Sequence, residues 1–308
     1  MIEVDNLTKK YGELVAVNNL SFKVEKGKIW GLLGPNAAGK TTTMRILTGY
    51  LPATEGKASV AGFDVFEQPN EVKKVIGYLP EVLPLYSDMT VYSYLDFVAD
   101  IKQVPRLSKK ESIEKTMEAT SLTPVRNRLI RNISRGYKQR VGIAQALIHS
   151  PQVLILDEPT IGLDPAQIVD IRELIKSLRK ERTILLSTHI LQEVTQVCDG
   201  VVIINEGKLM ASGSMEELSA SFKERDGVVI RIKKEPQETI SLLKTIPEIE
   251  NISQQDSEII IEWSKEKDPR DKITRLIVEK ELGLIEMKPL AMTIEDLYLR
   301  VISGGVKQ

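Results

Sequence analysis

Short apolar runs rich in β-branched residues recur in the first part of the chain. They occupy residues 28–33, 153–157, 183–187 and 201–205. Continuous apolar runs of this length are typical of strands that are buried on both faces, as in a parallel sheet covered by helices. The pattern therefore predicts an α/β core.

The spacing of apolar residues becomes helical between residues 91 and 150, first over residues 91–98 and then over residues 108–120. A run of helices at this place interrupts the alternation of strands and helices. We therefore predict a helical subdomain, at about residues 82–150, inserted into the α/β core.

A second, smaller α+β domain is predicted after a cluster of Gly and Ser at residues 206–214. The boundaries are 1–215 and 216–308. Alternating apolar residues predict a strand at 228–232, followed by a helix at 236–246, a strand at 258–263, a helix at 268–282 closed by Gly283, and a strand at 284–288. If residues 249–253 add a strand, the order is β-α-β-β-α-β, a ferredoxin-like unit, with Thr293 capping a final helix.

Composition narrows the range of functions. The chain has 42 Lys and Arg against 43 Asp and Glu, so it lacks the broad positive field that nucleic-acid binding usually needs. Cys198 is the only cysteine and there are two histidines, which excludes an internal disulfide and a structural zinc cluster. The N-terminus has no apolar signal region and no long uncharged apolar stretch follows, so we expect no membrane span and no secretion.

A phosphate-binding loop follows the first of the predicted core strands. The sequence matches G-x-x-x-x-G-K-[ST] and leads into a helix: Gly34-Pro35-Asn36-Ala37-Ala38-Gly39-Lys40-Thr41-Thr42. The glycines permit a tight loop whose N–H groups converge on phosphate oxygens, and the helix points its positive end at the same anion. Lys40 suits the β- and γ-phosphates and the Thr41 hydroxyl suits Mg²⁺.

Two carboxylates end the strand at residues 153–157. Asp157 would hold the metal through a water, and Glu158 would deprotonate the attacking water. Asp164 opens the next helix and is predicted to be one of the nucleotide-binding residues, with helix capping alone as the alternative role. His189 follows the strand at 183–187 and is expected to reach the γ-phosphate, although a histidine at a strand end is often an ordinary polar residue. His149 is interpreted as structural.

Residues 131–147 carry the run Arg131-Asn132-Ile133-Ser134-Arg135-Gly136-Tyr137-Lys138-Gln139-Arg140 and continue through Leu147. This run resembles the signature motif of ATP-binding cassette (ABC) ATPases. With the phosphate loop, the acidic pair and the later histidine in this order, the resemblance covers about residues 1–215. It implies a P-loop NTPase cassette: a RecA-like core sheet, an antiparallel β part and the inserted helical subdomain.

The resemblance also implies a dimer. In this family two cassettes pack head to tail, so Ser134 and Gly136 of one chain would contact the ATP held by the other. Tyr11 matches the aromatic residue that stacks on adenine, with an ordinary surface tyrosine as the alternative. A homodimer is the simpler closed arrangement.

This sequence departs from the family pattern at three places. Ala37 replaces a glycine of the phosphate loop, a change expected to cost little. Arg135 and Tyr137 stand in the signature where glycine and glutamine are commoner. Glu81 replaces a glutamine close to Mg²⁺; it keeps an oxygen for a metal contact and adds a negative charge.

The partners implied by the resemblance are integral membrane transporter subunits and a second cassette, with no nucleic acid. The apolar stretch at residues 82–86 would line a groove for a helix of the membrane subunit, although core packing is the alternative. The chain would then be an ATPase on the cytoplasmic side of the membrane that powers transport, with export favoured by analogy. A soluble switch in translation or DNA repair and a regulatory subunit with a weak site are the alternatives, and the cargo cannot be read from this chain.

Overall fold

The computed structural model describes residues 1–179, 181–221, 225–233, 236–255, 258–264, 268–290 and 298. The chain divides into two compact units, Met1–Met215 and Glu216–Gln308. Each unit has its own hydrophobic core.

The first unit contains a central sheet, an antiparallel sheet and a helical segment. In chain order its elements are β1 (Ile2–Tyr11), β2 (Leu14–Val24), β3 (Ile29–Leu33), α1 (Lys40–Leu47), β4 (Glu55–Val60), β5 (Phe63–Asp64), α2 (Pro69–Val75), β6 (Ile76–Leu79), α3 (Val91–Ile101), α4 (Arg106–Ala119), α5 (Arg135–Leu147), β7 (Val153–Asp157), α6 (Pro165–Leu178), β8 (Thr183–Thr188), α7 (Leu191–Val197), β9 (Gly200–Asn205), β10 (Lys208–Ser214) and α8 (Met215–Ser221), the last running into the second unit.

The central sheet has six strands in the order β10-β9-β3-β8-β7-β6. Its strands pair in parallel except for β10, which is antiparallel to β9. Every residue of β3, β7 and β8 is buried. Along β7, Val153 and Ile155 pack into one core cluster whereas Leu154 and Leu156 pack into another. The continuous apolar runs therefore do mark strands covered on both faces, and the predicted α/β class is confirmed.

An antiparallel sheet with the order β2-β1-β4-β5 accompanies the central sheet. Its apolar side chains, among them Ile2 and Leu20, share a core cluster with Met44 of α1 and with one face of the central sheet. This sheet is the antiparallel part that the family resemblance implied.

Helices α3, α4 and α5 form the helical segment and surround a core cluster of their own. The Thr90 side chain caps α3 by accepting a hydrogen bond from the Ser93 N–H at 3.1 Å. Val91, Tyr94 and Leu95 lie on one face of α3 and are buried against Ile113 and Met117 of α4. The helical spacing of the sequence thus identified these helices correctly.

The second unit contains β11 (Arg225–Ile232), α9 (Pro236–Leu243), β12 (Ile249–Gln255), β13 (Glu258–Ser264), α10 (Arg270–Glu279) and β14 (Leu284–Pro289). Its antiparallel sheet has the order β12-β13-β11-β14 and buries Ile230, Ile261 and Trp263 with Ile273 of α10. The element order is the one predicted for a ferredoxin-like unit. The predicted helix cap at Thr293 lies outside the described residues.

The predicted helix at residues 268–282 is shorter in the structure. It ends at Glu279, before Glu281 adopts a positive φ of 48° and Gly283 one of 71°. The reversal of the chain therefore uses two left-handed residues, and only the glycine was visible as a stop signal in the sequence.

In the described ranges, no helix is both long enough and apolar enough to cross a membrane.

Gly77 on β6 marks a close approach between the central sheet and α5. A β-carbon there would meet the Ala146 carbonyl oxygen at 2.1 Å and the Leu154 Cδ2 atom at 2.7 Å. We expect Gly77→Ala to lower the free energy of unfolding of the first unit by about 3 kcal/mol, because backbone must move to accept the methyl group.

Gly27→Ala is the matched control, since its β-carbon meets no described atom within 4 Å and only the φ of 73° opposes it. It should cost about 1 kcal/mol. The two tryptophans lie in different units, so the fluorescence of Trp30 in a Trp263→Phe background follows the first unit alone. If both alanine variants lowered the free energy of unfolding by the same small amount, the close approach of Gly77 to α5 would be contradicted.

Candidate active site

The phosphate loop joins β3 to α1 and is shaped by two glycines. A β-carbon at Gly34 would meet the Ile204 carbonyl oxygen at 2.4 Å, and one at Gly39 would meet the Ala16 carbonyl oxygen at 2.5 Å. Gly39 also has a φ of 101°. Because backbone closes on both positions, the loop takes its path only with glycine there.

Ala37 at the tip of this loop has a φ of 65°, in the left-handed region. An alanine there costs about 1–2 kcal/mol compared with glycine. This cost is larger than the sequence predicts, because the backbone conformation is set by the folded loop. Asn36 and Ala37 are exposed, whereas Ala38 is buried, so the loop tip faces solvent and its base packs into the core.

Lys40, the first residue of α1, is 7% exposed. Its Nζ donates to the Gly34 carbonyl at 2.8 Å and to the Pro35 carbonyl at 3.1 Å. The same ammonium lies 3.4 Å from Glu158 Oε1. Lys40 therefore joins the phosphate loop to the end of β7.

Asp157 ends β7 and is 1% exposed. Its Oδ1 accepts from the Ser187 hydroxyl at 2.5 Å and from the Thr41 hydroxyl at 3.4 Å. Its Oδ2 is buried without a hydrogen-bond partner among the described residues. Burial raises the pKa of this carboxyl group, the two hydroxyl groups oppose that rise, and the charges of Glu81 and Glu158 add to it.

These observations fit a divalent cation beside Asp157. Burial is the main cause of the raised pKa, and a cation beside Asp157 would stabilise the ionised carboxylate. No three His, Cys, Asp or Glu residues in the described part of the chain form a metal cluster by themselves. Mg²⁺ suits such a site, because it is usually held by one or two protein oxygens together with waters and substrate phosphates.

Glu158 is 6% exposed and has a φ of 47°, a strained conformation for a side chain of its size. Its N–H donates to the Ser187 hydroxyl oxygen at 2.9 Å. His189 Nδ1 lies 3.0 Å from Glu158 Oε2. The two predicted catalytic side chains are therefore in direct contact.

Sequence reasoning missed two residues that hold this cluster. Ser187 bridges the Asp157 carboxylate and the Glu158 backbone. Glu193 on α7, which is 2% exposed, accepts from the Thr188 hydroxyl at 2.6 Å and from the Thr160 hydroxyl. The only signal in the sequence was their position within a few residues of His189.

Glu193 thus links the two loops that carry the catalytic candidates. Thr160 lies two residues after Glu158, and Thr188 directly precedes His189. Arg172 NH2 lies 3.8 Å from the Glu193 carboxylate and supplies a positive charge.

The signature residues lie at the start of α5. Ser134 is exposed and caps this helix by accepting from the Tyr137 N–H at 3.3 Å. Gly136 is buried, and a β-carbon there would meet the Gln167 side chain at 2.9 Å. In the described residues, no hydrogen bond or ion pair joins Ser134 to the phosphate loop or to the acidic pair of the same chain.

Arg135, one of the departures from the family pattern, contacts the loop that follows the acidic pair. Its guanidinium donates to the Ile161 carbonyl at 3.2 Å and lies against Gly162, in the loop that follows the acidic pair. Asp164, at the end of that loop, caps α6 by accepting from the Gln167 N–H at 2.9 Å. The structure thus gives Asp164 the capping role that the sequence left open.

Tyr11 and Glu81 lie at the margins of the site. Tyr11 is 46% exposed, with Lys9 Nζ 5.2 Å from its ring centre. Glu81 is exposed, and its charge contributes to the raised pKa of Asp157.

The fold and this cluster define a P-loop ATPase. A sequence model described as ABC transporter matches residues 17–161. The chain belongs to the family of ABC transporter ATP-binding proteins.

Several relatives match along the whole chain. The bacitracin transport ATP-binding protein BcrA of Bacillus licheniformis is 36% identical over 99% of this chain and 98% of that protein. The uncharacterized ABC transporter ATP-binding protein YxlF of Bacillus subtilis is 33% identical over 98% of this chain and 99% of that protein. The linearmycin resistance ATP-binding protein LnrL of Bacillus subtilis is 28% identical over 98% of both.

Solved structures agree with this assignment. The ATP-binding subunit of an ABC transporter superimposes with a TM-score of 0.66 at 29% identity, over 72% of this chain and 93% of that one. An ATP-binding cassette of an ABC transporter in its ADP conformation gives a TM-score of 0.64 at 26% identity, over 70% of this chain and 92% of that one. The chain is therefore an ATP-binding, ATP-hydrolysing subunit of an ABC transporter, as its sequence motifs indicated.

We expect Glu193→Gln to lower kcat about tenfold while the KM for ATP changes less than about twofold. The glutamine side chain has the same volume, but it cannot accept hydrogen bonds from both Thr160 and Thr188 in the way the carboxylate does. The loops that carry Glu158 and His189 are then no longer held together by one side chain. Steady-state ATPase kinetics of the purified chain measure both constants.

Glu173→Gln, on the exposed face of α6, is the matched control and should change neither constant. Thermal unfolding shows whether the Glu193 variant is folded. A folded variant with normal kcat would show that Glu193 does not position these loops.

Proposed function

We propose that this chain is the Mg²⁺-dependent ATPase of a membrane exporter, converting ATP and water into ADP and phosphate at the carboxyl end of the central sheet. One observation carries the proposal: four predicted site residues converge at this edge, namely Lys40, Asp157, Glu158 and His189. The side chains of Lys40 and His189 both contact the Glu158 carboxylate. Ligands of open α/β sheets bind at this end of the strands.

The phosphate loop binds the triphosphate. Its N–H groups and the N-terminal end of α1 surround the β-phosphate, and Lys40 turns from the loop carbonyls to the β- and γ-phosphates. The exposed ring of Tyr11 stacks on adenine. Since Lys40 is already held over the loop by two carbonyls, little side-chain entropy is lost when ATP binds.

Thr41 and Asp157 would hold a Mg²⁺ ion, and the charge of Glu81 acts on the same carboxylate. The ion, when bound, neutralises charge on the phosphate oxygens. The unpartnered Oδ2 of Asp157 supplies the acceptor that a metal-bound water requires.

Glu158 acts as the general base for the attacking water. The ammonium of Lys40 lies 3.4 Å from this carboxylate, which takes up the proton of the water. His189 orients the carboxylate and lies on the side from which it reaches the γ-phosphate. The strained backbone of Glu158 places its carboxylate between these two groups.

A second chain completes each ATP site. Ser134 is exposed at the N-terminal end of α5, where helix N–H groups and the helix dipole favour an anion. We infer that Ser134 and Gly136 contact the γ-phosphate held by the other chain of a homodimer. Hydrolysis removes the contact and releases the dimer.

The membrane partner binds the helical segment at an apolar patch that consists of the exposed Val82, Tyr86 and Phe97 and the half-buried Leu85. Tyr86 is 55% exposed, and its ring lies 5.5 Å from that of Phe97 in an edge-on arrangement. An exposed apolar patch of this kind suits a short helix of a transmembrane subunit. The chain is then held at the cytoplasmic face of the membrane.

Export is supported by the names of two relatives, which concern bacitracin transport and linearmycin resistance. The cargo of this chain is set by its membrane subunits. These relatives also make the alternative of a soluble switch in translation or DNA repair less well supported than transport.

Glu158→Gln should lower ATP turnover by at least about 100-fold, since the amide cannot accept the proton. Binding of ATP persists, so the variant should form a stable dimer with ATP. Phosphate release and gel filtration with ATP measure the two effects. Glu118→Gln on the exposed face of α4 is the matched control. Turnover near the wild-type rate in the Glu158 variant would rule out this carboxylate as the base.

Tyr86→Ala should reduce transport at least about tenfold, because the partner helix loses an anchor worth about 1.4 kcal/mol. The ATPase rate of the isolated chain should change less than about twofold. Leu107→Ala, an exposed apolar residue of α4 in the same helical segment, is the control. If transport and isolated ATPase activity fall together, the patch is part of the ATPase and not a docking surface.

A further inference from the structure

A cavity of about 900 Å³ lies outside the ATP site, where α2, the turn after α3 and the residues after α5 meet. Residues of the phosphate loop and the acidic pair do not line it. Its polar lining includes Lys73, Lys74, Lys102, Ser108, Ser112 and His149. The volume lies in the range of sites for small molecules and exceeds what a single inorganic ion needs.

The cavity has more positive than negative charge. Lys74 is neutralised by Glu71 at 2.7 Å. Lys73 and Lys102 make no ion pair in the described part of the chain. Burial lowers the pKa of Lys102, and the charge of Lys73 lowers it further. The two ammonium groups therefore destabilise each other, and a bound anion would relieve both the burial and the repulsion.

The contrast with Lys109 shows that this charge imbalance is local. Lys109, on α4, lies 2.7 Å from Asp96 and 2.8 Å from Asp100, so its charge is fully met by carboxylates. In the same helical segment, one half-buried lysine, Lys109, therefore has carboxylate partners, whereas Lys102 at the cavity has no ion pair among the described residues.

The cavity wall also offers acceptors for hydroxyl groups. His149 Nε2 lies 3.0 Å from the Ile76 carbonyl oxygen, so this nitrogen carries the proton. Its Nδ1 is buried without a hydrogen-bond partner among the described residues and is closed to solvent, so His149 lines the cavity without presenting this nitrogen to it. Ser108 donates its hydroxyl to the Pro105 carbonyl at 3.2 Å, which leaves its oxygen free to accept.

We propose that this cavity binds a phosphorylated small molecule that carries hydroxyl groups, with Lys73 and Lys102 on the phosphate and the hydroxyl groups of Ser108 and Ser112 facing those of the ligand. Two ammonium groups from different segments match a dianionic phosphate. The ligand joins α2, which precedes β6 of the central sheet, to the end of α3 in the helical segment.

The experiment uses the two histidines of the chain as reporters. His149 lines the cavity, whereas His189 lies at the ATP site. The full chain is labelled with ¹³C-histidine and titrated with ribose 5-phosphate in a phosphate-free buffer at pH 7. A His189→Gln variant assigns the two imidazole Cε1–H resonances.

The proposal predicts a saturable shift of the His149 resonance with a Kd of about 1 mM or lower, while the His189 resonance stays in place. Lys73→Gln/Lys102→Gln should weaken binding at least about tenfold. Lys57→Gln/Lys110→Gln removes two exposed lysines and should leave binding unchanged. An unchanged His189 resonance shows that each variant is folded.

Four results would overturn the proposal. They are the absence of a saturable His149 shift up to about 10 mM, an equal shift in the Lys73/Lys102 variant, an equal response to unphosphorylated ribose, and an equal affinity for inorganic phosphate. A shift of His189 without one of His149 would place the ligand at the ATP site and would also contradict the proposal.

Discussion

Two buried carboxylates at the end of one strand set the constraint on which the rest of the site depends. Asp157 and Glu158 are 1% and 6% exposed, and burying charge is costly unless it is compensated. The sheet order brings the compensation from the neighbouring strand ends: Asp157 pairs in register with Ser187 on β8, and Leu33 of β3 pairs with Thr188. Lys40 then comes from the loop after β3. The parallel topology therefore delivers a cation, a hydroxyl and a histidine to one edge.

The parts that the sequence predicts well are those determined locally. Continuous apolar runs fix β3, β7 and β8, and the glycine spacing fixes the phosphate loop, because each depends on residues adjacent in the chain. The link through Glu193 was missed, since it joins Thr160 to a helix more than 30 residues later. The left-handed conformations of Ala37 and Glu158 were missed too, because the rest of the fold imposes them. The antiparallel sheet came from family resemblance and not from the apolar pattern.

The two histidines of the chain occupy opposite electrostatic environments. His189 contacts the Glu158 carboxylate, next to the buried Asp157. His149 lies beside lysines at a cavity that is short of negative charge, and burial followed by the charge of Lys102 lowers its pKa to about 4. At neutral pH His149 is therefore uncharged, and it adds no third cation to the cavity. The proposed ligands of these two sites, Mg²⁺ and a phosphorylated small molecule, accordingly have opposite charges.

The central claim is that one chain carries only half of each ATP site, and mixing two inactive variants tests it most directly. Lys40→Ala removes the phosphate contact, and Ser134→Asp keeps the helix cap but repels the γ-phosphate of the other chain. In an equal mixture half of the dimers contain both variants, and each of these has one intact site. We predict ATPase activity of about a quarter of the wild-type rate from the mixture, and almost none from either variant alone. Normal activity of Ser134→Asp by itself, or an inactive mixture, would contradict the claim.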